Sequence, residues 1–278
     1  MTTQLGVSSW SLTRTDHDVN GLFVRETRPE AQIGITVPVL LLHGGMHGWW
    51  TWERWQSYLG RVGWQTFAMS LPGHTDSAPL PEERLLKLRI ADYADAVEEV
   101  LDFIGTPAVL VAHSMGGCVA QQVAQRRKLA ALVLVTSVGP GRAAPIRPDL
   151  PTNTPFVLDR EQARKLFFHQ VDDDTFEHVF RRLVPESPAA LNDYARGGVV
   201  SNPDIGCPVL IFEAEHDRPV ITQHCRDAAD FYHATLIRAL DSGHDLMLEA
   251  HAEQNAAALH AWLVAHVANC LPAIRTIS

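Results

Sequence analysis

Six short, mostly apolar runs constrain what this chain can fold into. They are PVLLLH (38–43), WQTFAMS (64–70), AVLVA (108–112), ALVLVT (131–136), PVLIF (208–212) and ATLIR (234–238). Runs that stay apolar instead of alternating are strands buried on both faces. Between them lie segments with helical spacing. From Ile90 to Ile104, apolar residues recur at 90, 93, 97, 100, 101 and 104, and Gly105 follows. That pattern predicts an amphipathic helix and its stop. Further helices are predicted over Trp50–Leu59, Met115–Arg126, about 220–230 and Ala252–Val267. Strand and helix in this alternation require a mostly parallel sheet with helices packed on its faces. Ahead of them, Ser8–Arg14 and Leu22–Glu26 read as a β-hairpin around the turn-rich Asp16–Gly21. An eight-stranded sheet in an α/β fold is the expectation.

The rhythm stops at Val138-Gly139-Pro140-Gly141 and resumes near Pro203. The stretch between is Pro-rich at both ends. It shows helical spacing near Arg160–Phe168 and Thr175–Leu183, no strand, and no core of its own. It is expected to be a helical cap (139–203) on a core built from 1–138 and 204–278. Composition narrows the function classes. A net charge of -9 opposes binding to a phosphate backbone. The longest aliphatic stretch, Val37–Leu42, is too short to cross a bilayer, and MTTQLGVSSW lacks the layout of a secretory leader. Four cysteines (118, 207, 225 and 270) show no paired spacing. A cytoplasmic protein with reduced thiols, no nucleic-acid or membrane partner and no cofactor is expected.

The chemistry begins at Leu110-Val111-Ala112-His113-Ser114-Met115-Gly116-Gly117. A strand runs into a serine and a helix starts at once. So tight a turn presses its neighbours together, so the positions two before and two after the serine must be small. Ala112 and Gly116 meet that need. The turn also sets Ser114 at a helix N-terminus, which favours a developing negative charge. A serine needs a base, and the base an orienting acid. Asp217 follows the strand PVLIF and His244 follows ATLIR, so all three fall on the edge where open α/β sheets bind ligands. Rival acids are Glu213, Glu215, Asp241 and Asp245. His43-Gly44-Gly45-Met46, past another strand, can turn amides toward an oxyanion. Gly45 and Met115 are the expected donors, with Met46 the alternative to Gly45.

The segments VLLLHGGMHGWW, LPGHTDS, VLVAHSMGG, PVLIFEAEHDRPV and SGHDLMLE together resemble the α/β-hydrolase superfamily over nearly the whole chain. The first is similar to the methylesterase and hydroxynitrile lyase group and its bacterial esterase relatives. The resemblance implies Ser114 as nucleophile, Asp217 as acid, His244 as base, the amides of Gly45 and Met115 as oxyanion hole, and 139–203 as a lid. One departure lies in LPGHTDS, where Ser70 and Thr75 replace an Asp and a Gly common in relatives.

Trp49, Trp50, Trp52 and Trp55 form the densest aromatic cluster, expected mostly to pack helices. Candidate pocket walls are Met46, Trp49, His113, Phe156, Phe167, Phe176, Phe180 and Met247. Asp172-Asp173-Asp174 reads as a helix N-terminus instead of a Ca²⁺ loop, and no metal site is expected. The expected activity is hydrolysis of a small, largely apolar carboxylic ester or lactone through an acyl-enzyme. The alternatives are a hydroxynitrile lyase or C–C bond hydrolase with the same three residues, or a ligand receptor on this fold.

Overall fold

The computed structural model describes residues 11–30, 35–140, 146–197 and 202–267. The start of the expected first strand, Ser8–Trp10, and Cys270 lie outside them. The hairpin consists of β1 (Leu12–Val19) and β2 (Leu22–Pro29). Its turn is tighter than the sequence reading placed it. Asp16 through Val19 pair with Arg25 through Leu22, leaving only Asn20 and Gly21 in the bend. Both have positive φ, 53° and 85°, the geometry that matches the strands' twist and suits Asn-Gly. Asp16 is drawn into the ladder by the Arg25 guanidinium, which grips both its oxygens at 2.6 and 2.7 Å.

The parallel strands are β3 (Val39–Leu42), β4 (Thr66–Met69), β5 (Val109–His113), β6 (Ala131–Val135), β7 (Val209–Ala214) and β8 (Thr235–Ala239). One sheet holds all eight strands in the order β1-β2-β4-β3-β5-β6-β7-β8. β2 runs antiparallel to both neighbours, and every pairing from β4 to β8 is parallel.

The helices are α1 (Glu53–Arg61), preceded by a 3₁₀ turn at Trp49–Trp52, α2 (Glu82–Leu85), α3 (Ile90–Ile104) and α4 (Ser114–Ala124). α5 (Arg160–Phe167), α6 (Asp173–Phe180) and α7 (Pro188–Ala195) fall between β6 and β7. α8 (Thr222–Tyr232) and α9 (Ala252–His266) complete the chain. Side chains alternate across the sheet, so each apolar run feeds two cores. Leu40, Leu110 and Leu132 pack with Val97 of α3 and Val119 of α4. Val39, Val109 and Val133 pack on the other face with Trp55 of α1 and Leu259 of α9. Each such fully buried side chain contributes about 1.5–3 kcal/mol.

Two helices were not read from the sequence. α2 is a single turn. α7 carries a signal that was there to be read: Ser187 accepts the Ala190 amide at 3.2 Å and Pro188 occupies the first turn, where a proline loses no hydrogen bond. At α6, Asp172 caps the helix by accepting the Thr175 amide, as expected of the three aspartates.

Candidate active site

Ser114 stands where β5 ends and α4 begins, with φ of 51°, a strained left-handed value for a side-chain-bearing residue. The turn presses α4 against the β3 loop. A Cβ on Gly116 would lie 2.2 Å from the His43 carbonyl oxygen, so only glycine fits.

The other two members arrive from neighbouring strand ends. His244 Nε2 lies 2.8 Å from Ser114 Oγ. Its Nδ1 lies 3.1 and 3.0 Å from the two oxygens of Asp217. Asp217 also accepts the Val220 amide at 2.8 Å. A carboxylate can only accept, so the imidazole donates from Nδ1 and leaves an Nε2 lone pair facing the serine hydroxyl. His244 is 2% exposed. Burial lowers its pKa, but the charge and hydrogen bond of Asp217, aided by the charge of Asp245, outweigh this and raise it above its ordinary value.

Of the rival acids, Asp241 is exposed, 3.9 Å from His216 Nε2, and the other three are engaged elsewhere. Glu213 accepts Thr222 Oγ1, and Glu215 pairs with Arg238 and the Asp241 amide. Asp245 meets His47 Nε2 at 2.9 Å. His113 turns away from Ser114: its ring packs on His244 at 4.7 Å between centroids and its Nε2 lies 3.2 Å from the His244 carbonyl. Burial, then the charges of His244 and His47, hold its pKa well below the ordinary value.

On the β3 loop, the two amides considered as oxyanion donors differ. The Met46 N–H donates to Glu186 Oε2 at 3.0 Å, while Gly45 borders the cavity beside Ser114 and Met115. His43 braces this loop. Its Nδ1–H donates to the Gly44 carbonyl at 2.7 Å and its Nε2 accepts the Leu71 amide at 3.0 Å. The Ser70 and Thr75 replacements pin the tryptophans: Ser70 Oγ accepts the Trp49 amide at 3.0 Å and Thr75 Oγ1 the Trp50 indole at 3.3 Å.

A cavity of about 310 Å³ opens over Ser114 and His244. Its apolar wall includes Met46, Met115, Phe156, Leu158, Leu166 and Phe167. Three of the expected wall residues, Met46, Phe156 and Phe167, are therefore present. The structure places Trp49, His113, Phe176, Phe180 and Met247 elsewhere. Trp49 donates its indole N–H to Asp76 and carries the Arg25 guanidinium 3.9 Å above its ring. His113 lies behind His244. Phe176 and Phe180 stack on each other, with Arg164 over the Phe176 face. Met247 is fully buried in the core.

Besides apolar wall residues such as Leu158, sequence reasoning missed four polar residues here. Arg147, Arg218 and Tyr194 line the cavity, and Glu186 holds the Met46 loop. Burial raises the Tyr194 phenol, whose oxygen lies beside Ser114 without a hydrogen bond of ordinary geometry. Of the four, only Tyr194 had a sequence signal, the Ser-Pro start of α7.

Among the described residues, two groups bring three ligand-type atoms within 4.8 Å of one another: His113, His244 and Asp245, and His169, His216 and Asp241. In the first, both His244 nitrogens already face Asp217 and Ser114. In the second, the imidazoles stack at 3.7 Å with 25° between planes. That directs their lone pairs side by side instead of toward a common point. Neither grouping argues for a metal.

Comparison with known proteins agrees with this frame. A family model described as the alpha/beta hydrolase family matches residues 39–258. Methylesterase 9 of Arabidopsis thaliana is 33% identical over 110 residues, 38% of this chain and 42% of that protein. Methyl jasmonate esterase 1 of Vitis vinifera is 32% identical over 108 residues, 37% of this chain and 40% of that protein. The matched stretch spans about two fifths of the length of these relatives. Among solved structures, a methylesterase protein from Arabidopsis superposes with a TM-score of 0.69 at 18% identity, covering 82% of this chain and 99% of that one. A thermophilic esterase from Thermogutta terrifontis gives 0.67 at 18% identity, covering 90% and 98%. At such identity the structures speak to the fold alone. The family match runs from β3 into α9 and takes in every parallel strand of the sheet, so the chain belongs to the alpha/beta hydrolase family.

Proposed function

We propose that this protein hydrolyses small carboxylic esters, lactones included, through an acyl-enzyme. One observation carries the reading: the buried line Ser114 Oγ to His244 Nε2 at 2.8 Å and His244 Nδ1 to Asp217 at 3.0 Å. In this reading His244 takes the hydroxyl proton as Ser114 attacks the ester carbonyl. Asp217 holds the imidazole tautomer and stabilises the imidazolium. The carbonyl oxygen, now an anion, accepts from the amides of Gly45 and Met115, each donor worth about 3 kcal/mol in the transition state. Met46 is set aside because Glu186 already holds its amide. The protonated His244 gives its proton to the departing alcohol, and water repeats the sequence on the acyl-enzyme. The similarity to Methylesterase 9 and Methyl jasmonate esterase 1 supports an ester as substrate.

The segment 139–203 acts as a cap in this account, since it supplies Phe156, Leu158, Leu166, Phe167 and Tyr194 to the cavity wall. Among the described residues no helix is long and apolar enough to cross a membrane. Cys118, Cys207 and Cys225 are free thiols, which supports a reducing, cytoplasmic setting.

The test is turnover of a panel of esters and lactones of graded size by the parent protein, Ser114→Ala and His244→Ala, each checked for folding by circular dichroism. Loss of turnover in both folded variants is the expected result. Multiple turnovers by either would overturn the assignment. An acyl adduct trapped on Ser114 separates ester hydrolysis from lyase chemistry, which forms none.

A further inference from the structure

The cavity over Ser114 is largely apolar, and besides Ser114, Tyr194 and His244 it has one strongly polar feature. Two guanidinium groups, Arg147 and Arg218, line it, and no carboxylate does so among the described residues. This is a strong local bias in a chain whose net charge is -9. Every other described element around the cavity contributes an apolar side chain, a neutral polar group or His244.

Neither arginine is neutralised by an ion pair with a described carboxylate. Arg147 is half-buried. Its Nη1 donates to the Pro148 carbonyl at 2.8 Å and to Asn192 Oδ1 at 3.3 Å. Its Nη2 is buried and has no hydrogen-bond partner. A guanidinium nitrogen without an acceptor is costly in such a place, and burial also depresses its pKa. Arg218 follows Asp217 directly, lines the cavity as an exposed residue, and is anchored through Nη1 on the Lys165 carbonyl. Guanidinium groups bind carboxylates through paired, charge-assisted hydrogen bonds.

We propose that the preferred substrate is an ester carrying a free carboxylate at the far end of an apolar chain, held by Arg147 and Arg218 while Ser114 attacks the ester. This rests on the ester-hydrolase reading and adds the charge of the substrate.

The experiment compares monomethyl and dimethyl esters of succinate, adipate and suberate at low and high salt. The readout is the ratio of kcat/KM for the monoester to that for the diester. The parent protein should favour the monoester by roughly tenfold or more at one chain length, through KM, and less so in high salt. Arg147→Met and Arg218→Met should each reduce the ratio. Arg147→Lys, which keeps the charge, should retain part of it and covers the case in which Arg147→Met fails to fold. A ratio near one in the parent protein overturns the proposal while diester turnover leaves the hydrolase reading intact. If neither ester is turned over, the hydrolase reading fails. The proposed ester substrate then falls with it, whereas a ratio near one beside diester turnover overturns the charge preference alone.

Discussion

The Met46 amide donates to Glu186 at 3.0 Å, across 140 positions of sequence. Glu186 is fully buried and also accepts His74 Nε2 at 2.9 Å, Tyr93 Oη at 2.7 Å and its neighbour's amide at Ser187. Through this one carboxylate, the segment between β6 and β7 holds the loop after β3. Burial pushes the carboxyl up, but the charge and hydrogen bond of His74 draw it below its ordinary 4.5. Burial likewise lowers His74, and Glu186 raises it above 6.5.

Glu186→Gln should therefore cost about 3 kcal/mol, the scale of a broken buried ion pair, with a characteristic pH dependence. The depressed Glu186 contributes stability that is present above 4.5 and lost as pH falls through its folded value. The raised His74 contributes stability that is present below 6.5 and lost as pH rises through its own. The difference between parent and variant should thus be greatest between about pH 4.5 and 6.5, read from urea unfolding across that range. A difference that does not vary with pH would mean that the pair is not ionised.

Asp217→Asn should lower kcat/KM by roughly a thousandfold or more and move the acid limb of the pH profile. His244 must be neutral to act as base, so activity rises as pH passes through its raised pKa. Removing the carboxylate takes away the main raising influence and leaves burial to pull downward. The acid limb should shift to lower pH even as the rate falls. A limb that stays in place would show that another group controls it.

Gly116→Ala should destabilise the fold by about 1–3 kcal/mol, because the new methyl must displace the His43 carbonyl 2.2 Å away. That carbonyl belongs to the loop bearing Gly45, so ester turnover should drop by more than thermal stability alone accounts for. Thermal melts beside kcat at a temperature where the variant is fully folded separate the two effects.

Trp55 is fully buried, 5.3 Å from Trp52 and 5.8 Å from Phe212 between ring centroids. Trp55→Ala should cost about 3–5 kcal/mol through the cavity it leaves. Trp55→Phe should cost less, because the indole N–H it deletes has no hydrogen-bond partner. Denaturant midpoints of the two variants test that order, and equal losses would contradict it.

The sheet, the main helices and the positions of Ser114, Asp217 and His244 at strand ends were legible in the sequence. They rest on local information: an unbroken apolar run must be buried on both faces, and a serine between small residues marks a tight turn. That Glu186 holds the Met46 amide, that Trp49 and Phe176 lie away from the cavity, and that Arg147 and Arg218 line it were decided by the tertiary structure alone. A lone glutamate or arginine carries no pattern along the chain. What it does is set by which distant groups packing brings within 3 Å, and whether burial makes that meeting matter.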